Sequence, residues 1–530
     1  MLFTKDEMRK LVMKSSSAFS DLDPAPTWLL KECIDVIITP ITQMVNLSLH
    51  TGVFPDTMKV AHVKPLLKKH GLDNNNLKNY RPVSNLSFMS KLIERAVAVR
   101  VNEYVTENNL AEPFQSAYKS GHSTETALLR VKDDIMLALD NKQAVILVLL
   151  DLSAAFDTVD FGILLARLEQ LFGFTDTVLC WFKSYLTQRS QLVSVGVALS
   201  EALTLQYGVP QGSVLGPLLF VLYTRPLGDI ARRFNTPTHM YADDTQLYAT
   251  LSMANLTDDR ACVHKLEQCI SNVKSWMASN WLKLNDDKTD MICLASHHFT
   301  KLTDGICVTV GDSEIACSQT VVNLGVTFDR SIKMDQHVTA VCGSSYFHLR
   351  NIRSLKPHLT PEALITVTHA FISSRIDYCN SLLYGIADQY LQKLQRIQNC
   401  AARIITNTPK YDHITPVLKS LHWLPVKHRV TYKILLLVYK AQNGLAPIYL
   451  SELVTNKQSI RQSRSSNQRF LIVPKTRLKT YGDASFRVAG PTLWNALPLH
   501  IKTASTLNQF KSLIKTHLRN YAFNKLNYSH

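Results

Sequence analysis

At 530 residues the chain is longer than one hydrophobic core usually supports, so about two to four structural units are expected. Its 46% hydrophobic and 19% charged residues, with only 18 Gly and 20 Pro, exclude a disordered or fibrous chain. No apolar run approaches the roughly 20 residues that span a bilayer, and the start, Met1-Leu2-Phe3-Thr4-Lys5-Asp6-Glu7, is charged too early for a secretory signal. A soluble protein of the nucleus or cytoplasm, without a membrane partner, is expected.

Charge is unevenly placed. The formal net charge is +16, yet residues 331–530 hold 27 Lys/Arg against 7 Asp/Glu while the first 330 hold 31 against 35. A mildly acidic front and a strongly basic rear point to a rear that holds a polyanion. Nucleic acid comes first, an acidic membrane surface second, and a merely soluble basic domain is the plain alternative. The ten cysteines contain no C-x-x-C, and the closest pair, Cys262 and Cys269, suits one helix face. They read as reduced structural thiols rather than a metal site.

In chain order, residues 1–50 read as helix, broken at Asp23-Pro24-Ala25-Pro26, with a second helical stretch from Ile41 to His50. Basic residues cluster between Lys59 and Tyr80. Lys91–Tyr104 and Asp133–Leu139 belong to helices. Ala144–Leu150 is seven apolar residues without alternation, the mark of a strand covered on both faces. Helices are expected near Phe161–Leu171 and Asp176–Leu186, then strands at Gln191–Val197 and Ala202–Tyr207. An apolar helix, Val214–Tyr223, precedes two short strands, Thr238–Ala242 and Thr245–Ala249, around a two-residue turn. Leu266–Asn280 is a helix; Met291–Ala295, Ile306–Val310 and Thr320–Thr327 are strands. From Asp329 the pattern is helical and basic, clearest at Leu364–Ile372, Gln389–Ile405 and Thr431–Asn443. Lys457–Arg469 reads as a linker, and Leu507–Phe523 as a closing basic helix. The sum is an α+β sheet domain followed by a helical basic region.

Asp151 ends the buried strand, and Tyr241-Ala242-Asp243-Asp244 sets two adjacent carboxylates at a hairpin tip. Like charges side by side are unfavourable unless a cation neutralises them. Three carboxylates on two neighbouring strands can hold two Mg²⁺ about 4 Å apart, the arrangement of phosphoryl transfer. Taken alone, the adjacent acids are no more than a solvated turn. Between the acidic sites lies Gly208-Val209-Pro210-Gln211-Gly212-Ser213-Val214-Leu215-Gly216-Pro217, whose glycines and prolines allow close backbone approach.

In this order and spacing the set resembles the reverse transcriptase palm of non-LTR (LINE-type) retroelements. Leu150-Asp151-Leu152-Ser153-Ala154-Ala155-Phe156-Asp157, Gly208–Pro217 and Tyr241–Asp244 are similar to its first three palm motifs. Trp281-Leu282-Lys283-Leu284-Asn285-Asp286-Asp287-Lys288-Thr289 resembles the fourth, and Asn323-Leu324-Gly325-Val326 the primer-grip segment. Asn79-Tyr80-Arg81-Pro82-Val83-Ser84 and Gln115–Thr124 resemble finger motifs. The resemblance is tight over about 50–328 and looser beyond, where His422-Trp423-Leu424-Pro425 and Gly482-Asp483-Ala484-Ser485-Phe486 are similar to the C-terminal region of vertebrate elements.

The resemblance implies a right-hand polymerase: a helical N-terminal extension (1–50), fingers and palm (51–328), a thumb-like region (329–410) and a basic C-terminal region (411–530). It implies an RNA-directed DNA polymerase that uses two Mg²⁺ ions (Mn²⁺ as a substitute), dNTPs, an RNA template and a DNA primer. Asp151, Asp243 and Asp244 would be the metal-binding triad. Phe156 would be the steric gate against a ribose 2′-hydroxyl, with core packing as its plain alternative. Gln211 and Gly212 would line the nucleotide, Lys288 would lie near the leaving pyrophosphate, and Arg81 and Lys119 would clamp the triphosphate. Relatives often carry Arg at the Lys119 position, so the bidentate fork is lost there. Only about 50 residues precede the fingers, too few for the endonuclease domain with which such relatives begin, so a fragment of an element is expected. The alternatives are a catalytically inactive nucleic-acid-binding remnant and an RNA-templated RNA polymerase, the latter opposed by Phe156. Oligomeric state is not legible.

Overall fold

Ala144–Leu150 is the central strand of a four-stranded antiparallel sheet, flanked by Asp290–Leu294 on one side and Asp244–Leu251 on the other, with Thr238–Tyr241 outermost. The computed structural model describes residues 2–17, 20–69, 71–153, 155–254, 256–285, 288–296, 299–303, 305–311, 313–457 and 469–524. Ala144, Ile146, Val148 and Leu150 pack into one core, while Val145 and Leu147 pack into a second. Asp290–Leu294 divides the same way, with Met291 and Cys293 on the first side and Ile292 and Leu294 on the second. The absence of alternation along these strands follows from two buried faces.

The first core joins that sheet to the helices Phe88–Glu107 and Asp176–Leu186 and to the N-terminal helices. Thr4 and Glu7 form a capping box that starts the helix Lys5–Lys14. Ile34–Thr51 is one helix that runs through Pro40, where the sequence suggests two segments; Gly52 in the left-handed region ends it. Lys5–Lys14 lies against Phe88–Glu107, where Arg95 and Arg100 bond to Ser15 and Glu7, while Ile34–Thr51 packs on Lys5–Lys14 and on Asp176–Leu186. The stretch read only as a basic cluster contains a strand: Val60–Leu67 pairs antiparallel with Tyr80–Asn85 and parallel with Ser190–Val195. Pro65 and the interspersed lysines disguise the alternation that buries Ala61 and Val63. The strand expected at Ala202–Tyr207 is reduced to Leu203–Thr204.

The second core joins the back of the palm to the basic, helical half. Thr320–Thr327 is not one strand but a hairpin, Thr320–Asn323 with Val326–Asp329, turned at Leu324 and Gly325, both at positive φ. Asp329 then receives the N–H groups of Ser331, Lys333 and Met334 and opens the helix Asp335–Leu355, which has no distinct signal in the sequence. Pro361–Thr368 continues through one π-turn into Ser374–Asp377, and Asp388–Thr406 and Val426–Gln442 follow. Phe486–Asn495 is a further helix around Pro491, and Leu507–Asn524 ends the described chain. Most of the expected linker Lys457–Arg469 lies outside the described residues. Among the described residues no helix is long and apolar enough to cross a membrane.

Candidate active site

The palm hairpin turns one residue earlier than its sequence suggests. Tyr241 pairs with Asp244, so Ala242 and Asp243 form the turn, Ala242 at φ +57°, and Asp244 begins the next strand. The neighbouring register ends at Leu150 opposite Thr245, which brings Asp151 alongside Asp244 as the two strands emerge. Lys288 donates from Nζ to Asp151 Oδ2 at 2.8 Å, and the Asn285 N–H bonds the Asp151 carbonyl at 2.9 Å. Asp286 and Asp287 of the fourth motif, and Ala154 of the first, lie outside the described residues. Asp151, Asp244, Lys288, Asn323 and Leu324 line one open cleft of about 550 Å³.

The electrostatics are those of crowded carboxylates. Burial, then the charges of Asp243 and Asp151, push the Asp244 carboxyl up to about 6, opposed by the Lys288 ammonium. Burial and the charge of Asp151 also raise Asp243, opposed by Lys288 and Arg81. Among the described residues no three His, Cys, Asp or Glu side chains stand close enough to hold a metal ion as they are. By donor chemistry Asp151, Asp243 and Asp244 suit a hard divalent cation, being oxygen-only, anionic and mutually repelled. Lys288 supplies the counter-charge in this arrangement.

The loop at residues 114–116 fixes the turn. Gln115 brackets Ala242 with its side-chain amide: Oε1 accepts the Ala242 N–H at 3.0 Å and Nε2 donates to the Ala242 carbonyl at 3.3 Å. The backbone of Phe114 and Ser116 bonds that of Met240. Behind the glycine-rich loop, the Ser84 N–H donates to the Gln211 carbonyl at 2.7 Å. Gly212 sits at φ +122°, where a Cβ would lie 2.5 Å from the Ser84 carbonyl oxygen, so only glycine fits. Glu94, fully buried, accepts the N–H groups of Val214 and Leu215 at 2.6 and 3.0 Å and anchors the start of the helix Leu215–Thr224.

The other expected site residues divide. Phe156 is half-buried, stacked on Phe220 at 4.8 Å between centroids, and its carbonyl accepts the Val209 N–H, so it joins the first motif to the second. Gln211 keeps a buried Oε1 that has no hydrogen-bond partner in the protein. Arg81 is exposed at the end of its strand and near enough to Asp243 to favour its charged form. Lys119 is not in the cleft. Tyr118, at φ +59°, redirects the chain, so Lys119 turns back and donates to the Glu112 carbonyl at 2.6 Å, where burial lowers its ammonium to about 8. The half-exposed Tyr118 is the residue that faces Asp243 instead. Sequence reasoning missed Glu94, although a carboxylate on the apolar stripe of Leu92, Ile93 and Val97 marks it. Gln115 lies within a finger motif that gives it no role of its own, and no sequence signal marks Gln246, whose Oε1 accepts from Asn323 of the hairpin at 2.9 Å.

Residues 67–328 match the family described as reverse transcriptase (RNA-dependent DNA polymerase). Among curated Drosophila melanogaster proteins, the chain is 28% identical to a probable RNA-directed DNA polymerase from transposon BS, over 73% of this chain and 42% of that protein. It is 27% identical to the corresponding X-element protein (72% and 41%) and 25% identical to the RNA-directed DNA polymerase from mobile element jockey (90% and 50%). The chain thus spans about half, or less, of the length of these relatives. A solved apo telomerase from Candida tropicalis is similar at 10% identity over 74% of this chain and 67% of that one, with a TM-score of 0.40. Residues 67–328 thus form a reverse transcriptase domain, in a chain similar to the RNA-directed DNA polymerases of Drosophila mobile elements.

Proposed function

We propose that the protein is an RNA-directed DNA polymerase that extends a DNA primer on an RNA template with dNTPs, in the nucleus or cytoplasm. The observation that carries this reading is the convergence of Asp151, Asp244 and Lys288, beside Asp243, at the open end of the palm sheet of a reverse transcriptase domain. Fingers and palm at 51–328, a thumb-like region at 329–410 and a basic C-terminal region at 411–530 are the working division.

Reverse transcriptases use divalent metal ions. Asp151, Asp243 and Asp244 would hold two Mg²⁺, or Mn²⁺ in their place, supplying positive charge that acidifies the primer hydroxyl and offsets charge on the leaving pyrophosphate. The primer 3′-oxygen bonds the α-phosphorus, the bond from that phosphorus to the β-phosphate bridge breaks, the hydroxyl proton leaves and pyrophosphate departs. Lys288 holds Asp151 in place and contributes a cation where phosphate charge accumulates. Arg81 engages the triphosphate through its guanidinium fork. Gln211 offers its unpartnered Oε1 to the nucleotide, while Gly212 lets the loop approach it. Phe156 presents a ring that a ribose 2′-hydroxyl would strike, so Phe156→Val raises rNTP use relative to dNTP in steady-state incorporation.

Primer extension on an RNA template tests the reading. The Asp243→Ala/Asp244→Ala protein is expected to lose extension by at least about 1,000-fold while binding an RNA–DNA duplex within about twofold of wild type. Undiminished extension would contradict it. A second reading, a nucleic-acid-binding remnant without turnover, is favoured by the engagement of Asp151 by Lys288 and the lack of a preformed three-ligand cluster among the described residues. It predicts duplex binding and no extension by either protein.

A further inference from the structure

The motif His422-Trp423-Leu424-Pro425 contributes nothing to the polymerase cleft, yet it walls a separate cavity of about 410 Å³ between the thumb-like helices and the C-terminal region. That volume lies within the roughly 300–1,000 Å³ range of small-molecule sites. His422 holds the left-handed conformation, φ +55°, which a non-glycine residue adopts at a cost, and the next residue, Trp423, bonds back to the Leu418 carbonyl. The Trp423 ring stands edge-on to His369 at 5.4 Å, and Tyr432 lines the same space, half-buried.

The lining charge is asymmetric. Asp377 is the one acidic lining residue, and Arg429 already neutralises it through a two-point ion pair. Lys433 reaches Glu125 at 3.1 Å. Lys515, exposed at the rim, makes no hydrogen bond or ion pair with a described residue. The cavity therefore has the rings of Trp423, Tyr432, His369 and His422 in its lining and an uncommitted cation at its mouth, in the part of the chain with net charge +20 over residues 331–530. An aromatic interior suits a base and a rim cation suits a phosphate. A duplex does not present that combination to a concave pocket, because its bases are stacked and paired; an unpaired residue of a strand does.

We propose that this cavity takes one unpaired nucleotide of an RNA strand, its base beside Trp423 and Tyr432 and its phosphate on Lys515. The inference rests on the reading of the chain as an RNA-handling polymerase and adds a second, non-catalytic contact with that RNA. It gives the basic rear a task beyond tracking duplex phosphates, namely holding an unpaired segment of the RNA.

The test uses the full chain and a single-stranded 12-nucleotide RNA carrying one 4-thiouridine, with affinity read by fluorescence anisotropy and contacts by photo-crosslinking and peptide mapping. Crosslinks are expected within residues 421–433. Lys515→Glu and Tyr432→Leu should each weaken binding about tenfold, whereas Lys393→Glu, the same charge reversal on an exposed lysine outside the cavity, should weaken it less than about threefold. Equal weakening by all three variants, or crosslinks confined to other segments, would overturn the proposal. Competition by free AMP as effective, mole for mole, as the RNA would overturn the assignment to a strand. Wild-type primer extension is measured on the same preparation. Extension without the cavity effects removes this inference alone, while the cavity effects without extension remove the polymerase reading alone.

Discussion

Asp244 owes its raised carboxyl first to burial and then to the charges of Asp243 and Asp151, and the residues around the palm hairpin show how that setting is maintained. His239, fully buried on the outer strand, contacts Ser116 Oγ at 2.8 Å through Nε2, while its Nδ1 has no partner in the protein. Burial, then the charges of Arg130, His122 and Lys119, depress its imidazole to about 3, and Tyr449 packs edge-on against the ring. The unfolded chain therefore takes up a proton near pH 6.5 that the folded chain refuses until about pH 3, so this group costs stability as pH falls through that window. Between pH 7 and 5 wild type should lose about 2 kcal/mol more than His239→Gln in denaturant unfolding; identical losses would contradict the assignment. Gly212→Ala should cost about 2 kcal/mol or more, because its Cβ would meet the Ser84 carbonyl in a left-handed backbone. The three aspartates and Gly212 stood out in the sequence through the order and spacing of the motifs that hold them, since adjacent acids alone read as a solvated turn. Lys119 was not, because its direction depends on the positive φ of Tyr118, which no pattern of residue types reveals.

At the scale of elements, the glycine-rich loop is held from behind by a buried acid. Glu94 sits on Phe88–Glu107, its carboxylate raised by burial and stabilised by the Val214 and Leu215 N–H groups and by the charge of the fully buried Arg189. Glu94→Ala would leave two N–H groups without their acceptor and the buried Arg189 without a nearby counter-charge, and about 3–5 kcal/mol of stability should be lost. Glu94→Gln keeps an acceptor for the loop, so it should retain more primer extension than Glu94→Ala at a temperature where both are folded. Long elements with one apolar stripe or a continuous apolar run, such as Asp176–Leu186 and Ala144–Leu150, were legible to the residue. Val60–Leu67 was not, because Lys64 and Pro65 interrupt it and apolar Val60 and Leu66 stand on exposed positions, and the hairpin at Leu324 was not, because Thr320–Thr327 reads as an unbroken β-former run.

At the scale of the molecule, the palm sheet is the wall between two cores, and the basic half closes the second. Buried acids on the helix Thr124–Asp140 receive that half. Asp133 accepts Arg487 Nε at 2.6 Å, Asp140 accepts the N–H groups of Arg477 and Leu478, and Tyr449 Oη meets Ser116 and Thr126. Arg487→Ala leaves Asp133 buried and unpaired and should cost about 3–5 kcal/mol, read as a loss in the unfolding of the whole protein rather than of its rear alone. The charge asymmetry of the halves was visible in the sequence; that the basic half is also the back wall of the palm was not, since ion pairs more than 300 positions apart leave no local pattern.

The central claim is templated synthesis, and single-nucleotide primer extension tests it most directly. Purified protein, a DNA primer annealed to an RNA template, Mg²⁺ and one dNTP at a time would be combined, with the template base varied. An RNA-directed DNA polymerase adds only the dNTP complementary to the RNA base and adds the matching rNTP poorly. Binding of the primer–template without addition of any nucleotide, or addition indifferent to the template base, would contradict it.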